Sequence, residues 1–202
     1  MKPGPSRVVT PTYAMFVVIG AAIFTLLGAS WALASVVNWP GAPAWAYGLV
    51  AVPVAGLSAF ALVRLVRSRE LPAASDPAQA RHDGRRMGIA FGIIFTVESA
   101  LIAFAAVALD SAGRALLIPV AVALIVGVHF LPLARVFRLP FYYLTGVLCV
   151  ACALASLAIP VESVRLLVLG LAIAVVLWAS ALVVLLRYTG GLARKFKFEL
   201  HH

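Results

Sequence analysis

Long apolar runs separated by short polar gaps set the pattern of the chain. Six runs stand out, at about 14–37, 46–66, 87–109, 115–134, 141–160 and 165–187. A helix needs about 20 apolar residues to cross a hydrocarbon core roughly 30 Å thick, so each run predicts one transmembrane helix. Breakers mark the borders. Asn38-Trp39-Pro40-Gly41 closes the first run, Pro72 to Gly84 separates the second from the third, and Asp110-Ser111-Ala112-Gly113 turns the chain between the third and fourth. Pro140 and Pro160 bracket the fifth. The expected fold class is an all-α integral membrane protein, a bundle of six transmembrane helices forming one domain over residues 1–200. His201 and His202 are read as a tag remnant and given no function.

Composition agrees with this pattern: 64% of the 202 residues are hydrophobic and 11% charged, with a mean hydropathy of +1.08. Soluble domains carry about 25% charged residues. The first run follows Lys2 and Arg7 and contains Ala32-Leu33-Ala34, which resembles a cleavage site. At 24 residues it is longer than the apolar core of a signal peptide, and it is expected to remain as a helix. The net charge of +9 does not point to nucleic acid, because the basic residues lie in the gaps between apolar runs rather than in a binding pattern. Fourteen of the sixteen fall in the N-terminal segment, the second and fourth gaps and the C-terminal tail, leaving Arg114 and Arg165 on the opposite side. Positive charge is retained on the cytoplasmic side, so both termini are expected there. With that topology helices 1–3 and 4–6 run in opposite senses, as a 3+3 inverted repeat requires. "VPVAG" at 52–56 and "IPVAV" at 118–122 each place a proline inside a run and form the sequence support for such a repeat.

One acidic residue interrupts the middle of a run. Glu98, in "FTVESALIA", lies eleven residues into the third span and so near the bilayer midplane. A central acidic residue costs about 2.5 to 3.5 kcal/mol to insert, so Glu98 is expected to face the bundle interior, to be protonated, or both. Two roles fit it: a proton or cation site, or a carboxylic acid hydrogen-bonded to a neighbouring helix. His129, in "VGVHFLPLARVF", lies six residues before Arg135 near the cytoplasmic end of the fourth span. If helices 3 and 4 pack together, the two side chains come within direct or water-bridged contact, and the pair could relay a proton. One histidine and one glutamate do not make a metal site, and no metal or other cofactor is expected.

The fifth span carries a polar stripe. Tyr142, Thr145, Cys149, Cys152 and Ser156 stay within an arc of roughly 80° on a helix, and Arg138 extends it to the cytoplasmic surface. The stripe is either one wall of a polar cavity shared with Glu98 and His129 or ordinary packing by small and polar residues. Cys149 and Cys152 also spell C-x-x-C, but their depth and the lack of a second cysteine pair argue against a redox centre. Ala21, Thr25, Gly28, Ala32 and Ser35 form a small-residue stripe on helix 1, and Gly88-x-x-x-Gly92 opens helix 3. Both read as surfaces for close helix approach, within the chain or between copies in a homo-oligomer. Trp39, Trp45 and Tyr47 are expected as interfacial anchors at the outer ends of helices 1 and 2. The gap "RSRELPAASDPAQARHDGRR" is expected to be a mobile cytoplasmic loop, its arginines serving as topology determinants that can touch anionic lipid.

"VGVHFLPLARVF" followed by "YYLTG", together with the earlier "GIIFTVES", resembles a family of small uncharacterised bacterial multi-pass membrane proteins. The resemblance covers about a quarter of the chain and implies a place in the bacterial inner membrane, with no chemistry attached. Walker loops, HExxH and G-x-S-x-G are absent from the sequence, which weighs against an enzyme. Three classes of function follow from the residues. The first is a proton-linked transporter or channel for a small solute, with its site at Glu98 and His129. The second is a non-catalytic protein that binds lipid or a partner and whose buried polar residues are structural. The third is a membrane redox enzyme using the cysteines of helix 5.

Overall fold

The computed structural model describes residues 11–68, 77–137 and 139–189, and in them the chain forms six α-helices: α1 (Pro11–Val37), α2 (Ala44–Ser68), α3 (Pro77–Ser111), α4 (Ile118–Val136), α5 (Phe141–Ser156) and α6 (Glu162–Thr189). All but α5 are long and apolar enough to cross a membrane, and α5 is a shorter apolar helix. The protein is a helical multi-pass membrane bundle.

The helix ends follow from local chemistry. Trp39-Pro40-Gly41-Ala42 turns the chain after α1, with Gly41 at φ +74° and the Ala42 N–H donating to the Trp39 carbonyl at 3.1 Å. That is the backbone a Pro-Gly pair favours. Gly113, at φ +68°, ends α3: its N–H donates to Asp110 O at 2.9 Å and the Arg114 N–H to Leu109 O at 2.7 Å, the paired bonds of a left-handed glycine cap. A 3-10 turn at Ala115–Leu117 then leads into α4.

Two boundaries differ by more than three residues from those the apolar pattern predicts, and the prolines fall differently. The fifth helix stops at Ser156 rather than reaching residue 160, because Pro160 has no N–H to give and its ring disfavours helix in the residue before it. Its 16 residues rise roughly 24 Å, less than the apolar core of a bilayer. Helix α3 begins at Pro77, ten residues before its apolar run, so the second half of the expected mobile loop is a helix carrying Arg81, Arg85 and Arg86. Proline suits that first helical position, where its missing N–H goes unused. Residues 69–76 and Arg138 lie outside the described residues. Finally, Pro53 sits inside α2 whereas Pro119 occupies the first turn of α4, so the two prolines invoked for a repeat are not in equivalent places.

Helices α1 and α6 pack along one another at the centre; α2 lies against α1 and α6, α5 against α6 and α4, and α3 against α4. The halves correspond in part: α1 with α2 matches α4 with α5, and α6 with α1 matches α3 with α4. The contact of α5 with α6 has no counterpart, since α2 does not pack along α3.

Lipid tails offer no hydrophobic drive for helix association, so close fit has to supply it. Ala21, Thr25, Gly28, Ala32 and Ser35 are all buried. A Cβ on Gly28 would sit 2.6 Å from Trp178 Nε1, which donates to the Thr25 carbonyl at 3.2 Å. A Cβ on Gly170 would collide with Ser35 Oγ and come within 2.8 Å of the Trp31 carbonyl. The stripe on α1 therefore packs against α6. A second close crossing joins α4 to α5, where a Cβ on Gly146 would lie 2.6 Å from the Gly127 carbonyl oxygen. By contrast, Gly88 and Gly92 are exposed, and a Cβ on either would meet nothing within 4 Å. No residue of the membrane portion of α3 is buried.

This contrast makes a prediction. Gly146→Ala must push backbone apart at α4–α5 and should lower stability by about 1 to 3 kcal/mol, whereas Gly92→Ala should be neutral or stabilising by up to about 1 kcal/mol. Thermal unfolding of the two variants in detergent micelles checks the order.

Candidate functional site

Glu98 points from α3 toward α4 and meets His129. The carboxylate Oε2 lies 3.0 Å from the imidazole Nδ1, and the two side chains are 12% and 10% exposed. Nδ1 has no hydrogen bond of good direction, so the contact rests on charge and proximity rather than on an aligned donor and acceptor. Three residues further along α4, Pro132 has no N–H to offer the Val128 carbonyl, which loosens the helix beside the pair.

The pair stands in a wall between two spaces. On one side is a partly open cavity of about 140 Å³ lined by α1, α3, α4 and α5, into whose wall Glu98, His129 and Tyr142 are built. On the other is a groove of about 400 Å³ between α3 and α4, otherwise apolar, lined by Ile94, Leu101, Leu124 and Pro132.

Aromatic rings form most of the cavity. Phe24 meets Phe130 with ring centroids 5.3 Å apart and Tyr142 at 5.4 Å, while Phe130 and Tyr142 are 6.0 Å apart, all edge to face. Phe137 joins through Tyr142 at 6.4 Å and Phe91 at 6.3 Å, and Phe91 stacks on Phe95 at 6.1 Å. The His129 ring abuts Phe130 at 5.7 Å. Such arrangements match the edge-positive, face-negative charge distribution of aromatic rings. The space exists because α1 reaches α4 through these large side chains, whereas α1–α6 and α4–α5 close on small ones.

Of the seven residues singled out from the sequence, the structure gathers Glu98, His129 and Tyr142 around this cavity. The rest of the α5 stripe turns elsewhere. Thr145 is fully buried, its hydroxyl 2.9 Å from that of Ser180 on α6. Each hydroxyl also reaches a carbonyl of its own helix, Ser180 the Val176 carbonyl at 2.7 Å and Thr145 the Phe141 carbonyl at 3.4 Å, so either can donate to the other. Ser156 donates back to Ala153 O at 2.7 Å. Cys149 is fully buried and Cys152 partly so; both thiols are free and neither lines the cavity. Among the described residues no group of three metal-binding side chains occurs.

The aromatic wall was not singled out from the sequence. Its signal is present: Gly88, Phe91, Phe95 and Glu98 share one face of α3, and Val126, His129, Phe130, Leu133 and Phe137 one face of α4. In a chain with eleven phenylalanines, that register does not stand out from general apolarity.

Comparison of the chain with protein-family models, with curated proteins and with solved structures found no match. The fold and site define a multi-pass helical membrane protein with a Glu–His pair in the wall of an aromatic cavity.

If the two side chains act as a unit, their removal should be non-additive. Glu98→Gln and His129→Gln, singly and together, are expected to show a coupling of about 0.5 to 3 kcal/mol. Unfolding in mixed micelles across the double-mutant cycle measures it; additive effects would mean the pair does not interact.

Proposed function

We propose that the protein is a bacterial inner-membrane carrier or channel that moves a small solute in a proton-linked cycle, with Glu98 and His129 as the proton site. One observation carries this reading: a carboxylate and an imidazole 3.0 Å apart, both largely out of solvent, in the wall of a cavity of about 140 Å³. Intramembrane ionisable residues pair with one another and mark proton and ion pathways. A single proton placed between a carboxylate and an imidazole either makes an ion pair or neutralises both, so the local charge pattern of the wall changes with protonation. The cavity is mainly apolar, which suits a solute with hydrophobic surface better than a simple column of water.

The location is supported by the concentration of basic residues in alternate gaps, the pattern expected when both termini lie in the cytoplasm. Anionic lipid at the cytoplasmic surface would meet Arg81, Arg85 and Arg86 at the start of α3.

A structural role for the pair has its own support. Helix α3 has no buried residue in its membrane portion and leans on α4, and Glu98 and His129 meet between them. In that case Glu98→Gln would loosen α3 and leave no transport to lose.

Proteoliposomes containing a pH dye separate these outcomes. Small amines, carboxylates and neutral solutes are presented one class at a time. Wild-type protein is expected to move protons with at least one class, and Glu98→Gln to fall to the protein-free rate while keeping its helical content. Proton movement with no class, or an unchanged rate in the folded variant, contradicts the proposal.

A further inference from the structure

We propose that the cavity between α1, α3, α4 and α5 is a binding site for a small lipophilic organic cation, an amine or quaternary ammonium, which takes the place of the proton on His129. The inference deepens the proton-linked reading by naming its substrate class. Three observations carry it.

The first is charge. Among the described residues, Glu98 is the acidic side chain in the cavity wall, and the α1 and α5 residues that face the pair include no basic group; Tyr142 is the further titratable side chain among them. Arg135, the basic residue nearest in sequence on α4, lies in a separate groove with Pro132 and Tyr143. An anion would meet a carboxylate with no opposing cation but His129, and a neutral solute would leave the carboxylate unanswered. A cation meets its counter-charge.

The second is the wall itself. Phe24, Phe91, Phe95, Phe130, Phe137 and Tyr142 surround the space next to Glu98. Aromatic side chains attract cations through the negative face of the ring, and cages of such rings are a common way of holding quaternary ammonium groups, which cannot donate hydrogen bonds.

The third is the placement of His129. Its Nδ1 is buried and makes no aligned hydrogen bond, although a carboxylate oxygen is 3.0 Å away. A proton carried on the ring in the empty site would neutralise Glu98 without an aligned hydrogen bond to hold it there. When an organic cation enters, the site would hold two positive charges against one negative. The imidazolium N–H bond then breaks, its electron pair stays on the ring nitrogen, and the proton leaves to solvent. One positive charge faces Glu98 before and after, so the exchange is one proton for one monovalent cation.

Binding of radiolabelled benzyltrimethylammonium to the full-length protein in lipid nanodiscs tests the site, with neopentylbenzene, its neutral isostere, as competitor. Saturable binding is expected, with no competition from the neutral compound. Glu98→Gln should weaken binding about tenfold or more, Glu98→Asp should retain it, and Phe91→Leu should weaken it by up to about tenfold. If Glu98→Gln does not fold, Glu98→Asp and Phe91→Leu decide. Calorimetry in two buffers of different ionisation enthalpy should show one proton released per cation bound by wild type and none by His129→Gln. Absent binding, equal competition by the neutral isostere, undiminished affinity in both Glu98→Gln and Phe91→Leu, or no proton release would overturn the proposal. Cation binding without flux in proteoliposomes would leave the site standing and sink the transport reading; flux confined to carboxylates or neutral solutes, without cation binding, would do the reverse.

Discussion

A carboxylate near the middle of a membrane helix has no water to turn to, and the arrangement of α3 and α4 follows from that constraint. Glu98 finds its partner in His129 on the next helix, at 3.0 Å. Insertion of an acidic residue at that depth costs about 2.5 to 3.5 kcal/mol, a sum comparable to the packing of a small helix interface in lipid. Helix α3 fully buries no residue of its own membrane portion; it rests on α4 through this polar contact and through Phe91, Ile94 and Ile102, which pack part-buried against the core. The same contact puts the only intramembrane acid of the sequence and an imidazole into a wall that both an inner cavity and an outer groove touch.

Around that site the bundle uses two kinds of helix contact. Where α1 meets α6 and where α4 meets α5, glycines let backbones and hydroxyls come so close that an added methyl group would collide with Trp178, Ser35 or the Gly127 carbonyl. Those contacts make the closely packed part, joined by the buried Thr145–Ser180 hydroxyl pair and the Trp178 N–H on the Thr25 carbonyl. Where α1 faces α4, phenylalanines hold the helices apart and their rings bound a space. Small residues close the frame and large rings keep a chamber open beside the titratable pair. The short α5, ended by Pro160, contributes Tyr142 to that chamber from its first turns.

Much of this was legible in the sequence, for physical reasons. Hydrocarbon thickness fixes span length, so five of the six helices could be placed to within a few residues at both ends and the sixth, α3, at its C-terminal end, and the stripe from Ala21 to Ser35 announced a close helix partner. Less legible was which helix a stripe would meet. The polar positions of α5 share one face, yet only Tyr142 reaches the cavity, because Thr145 is taken up by Ser180 of α6, 35 residues away in sequence. Gly88-x-x-x-Gly92 looks like a packing motif and lies open, while Gly127 and Gly146, in no such motif, mark the tightest backbone approach of α4 to α5. Local spacing cannot distinguish these cases, since the neighbours of a face are chosen by the whole bundle. The helical start of α3 at Pro77 was obscured in the same way by charged and turn-forming residues that tolerate helix once a long apolar segment extends it.

On the proposed function, Glu98 and His129 share one proton as an ion pair inside the membrane. Isotope-edited infrared spectroscopy of the protein in lipid bilayers at neutral pH, comparing wild type, Glu98→Gln and His129→Asn, measures this directly. An ionised carboxylate band is expected that disappears in Glu98→Gln and is replaced by a protonated carboxyl band in His129→Asn. A protonated Glu98 band in wild type that is unchanged in His129→Asn would contradict it.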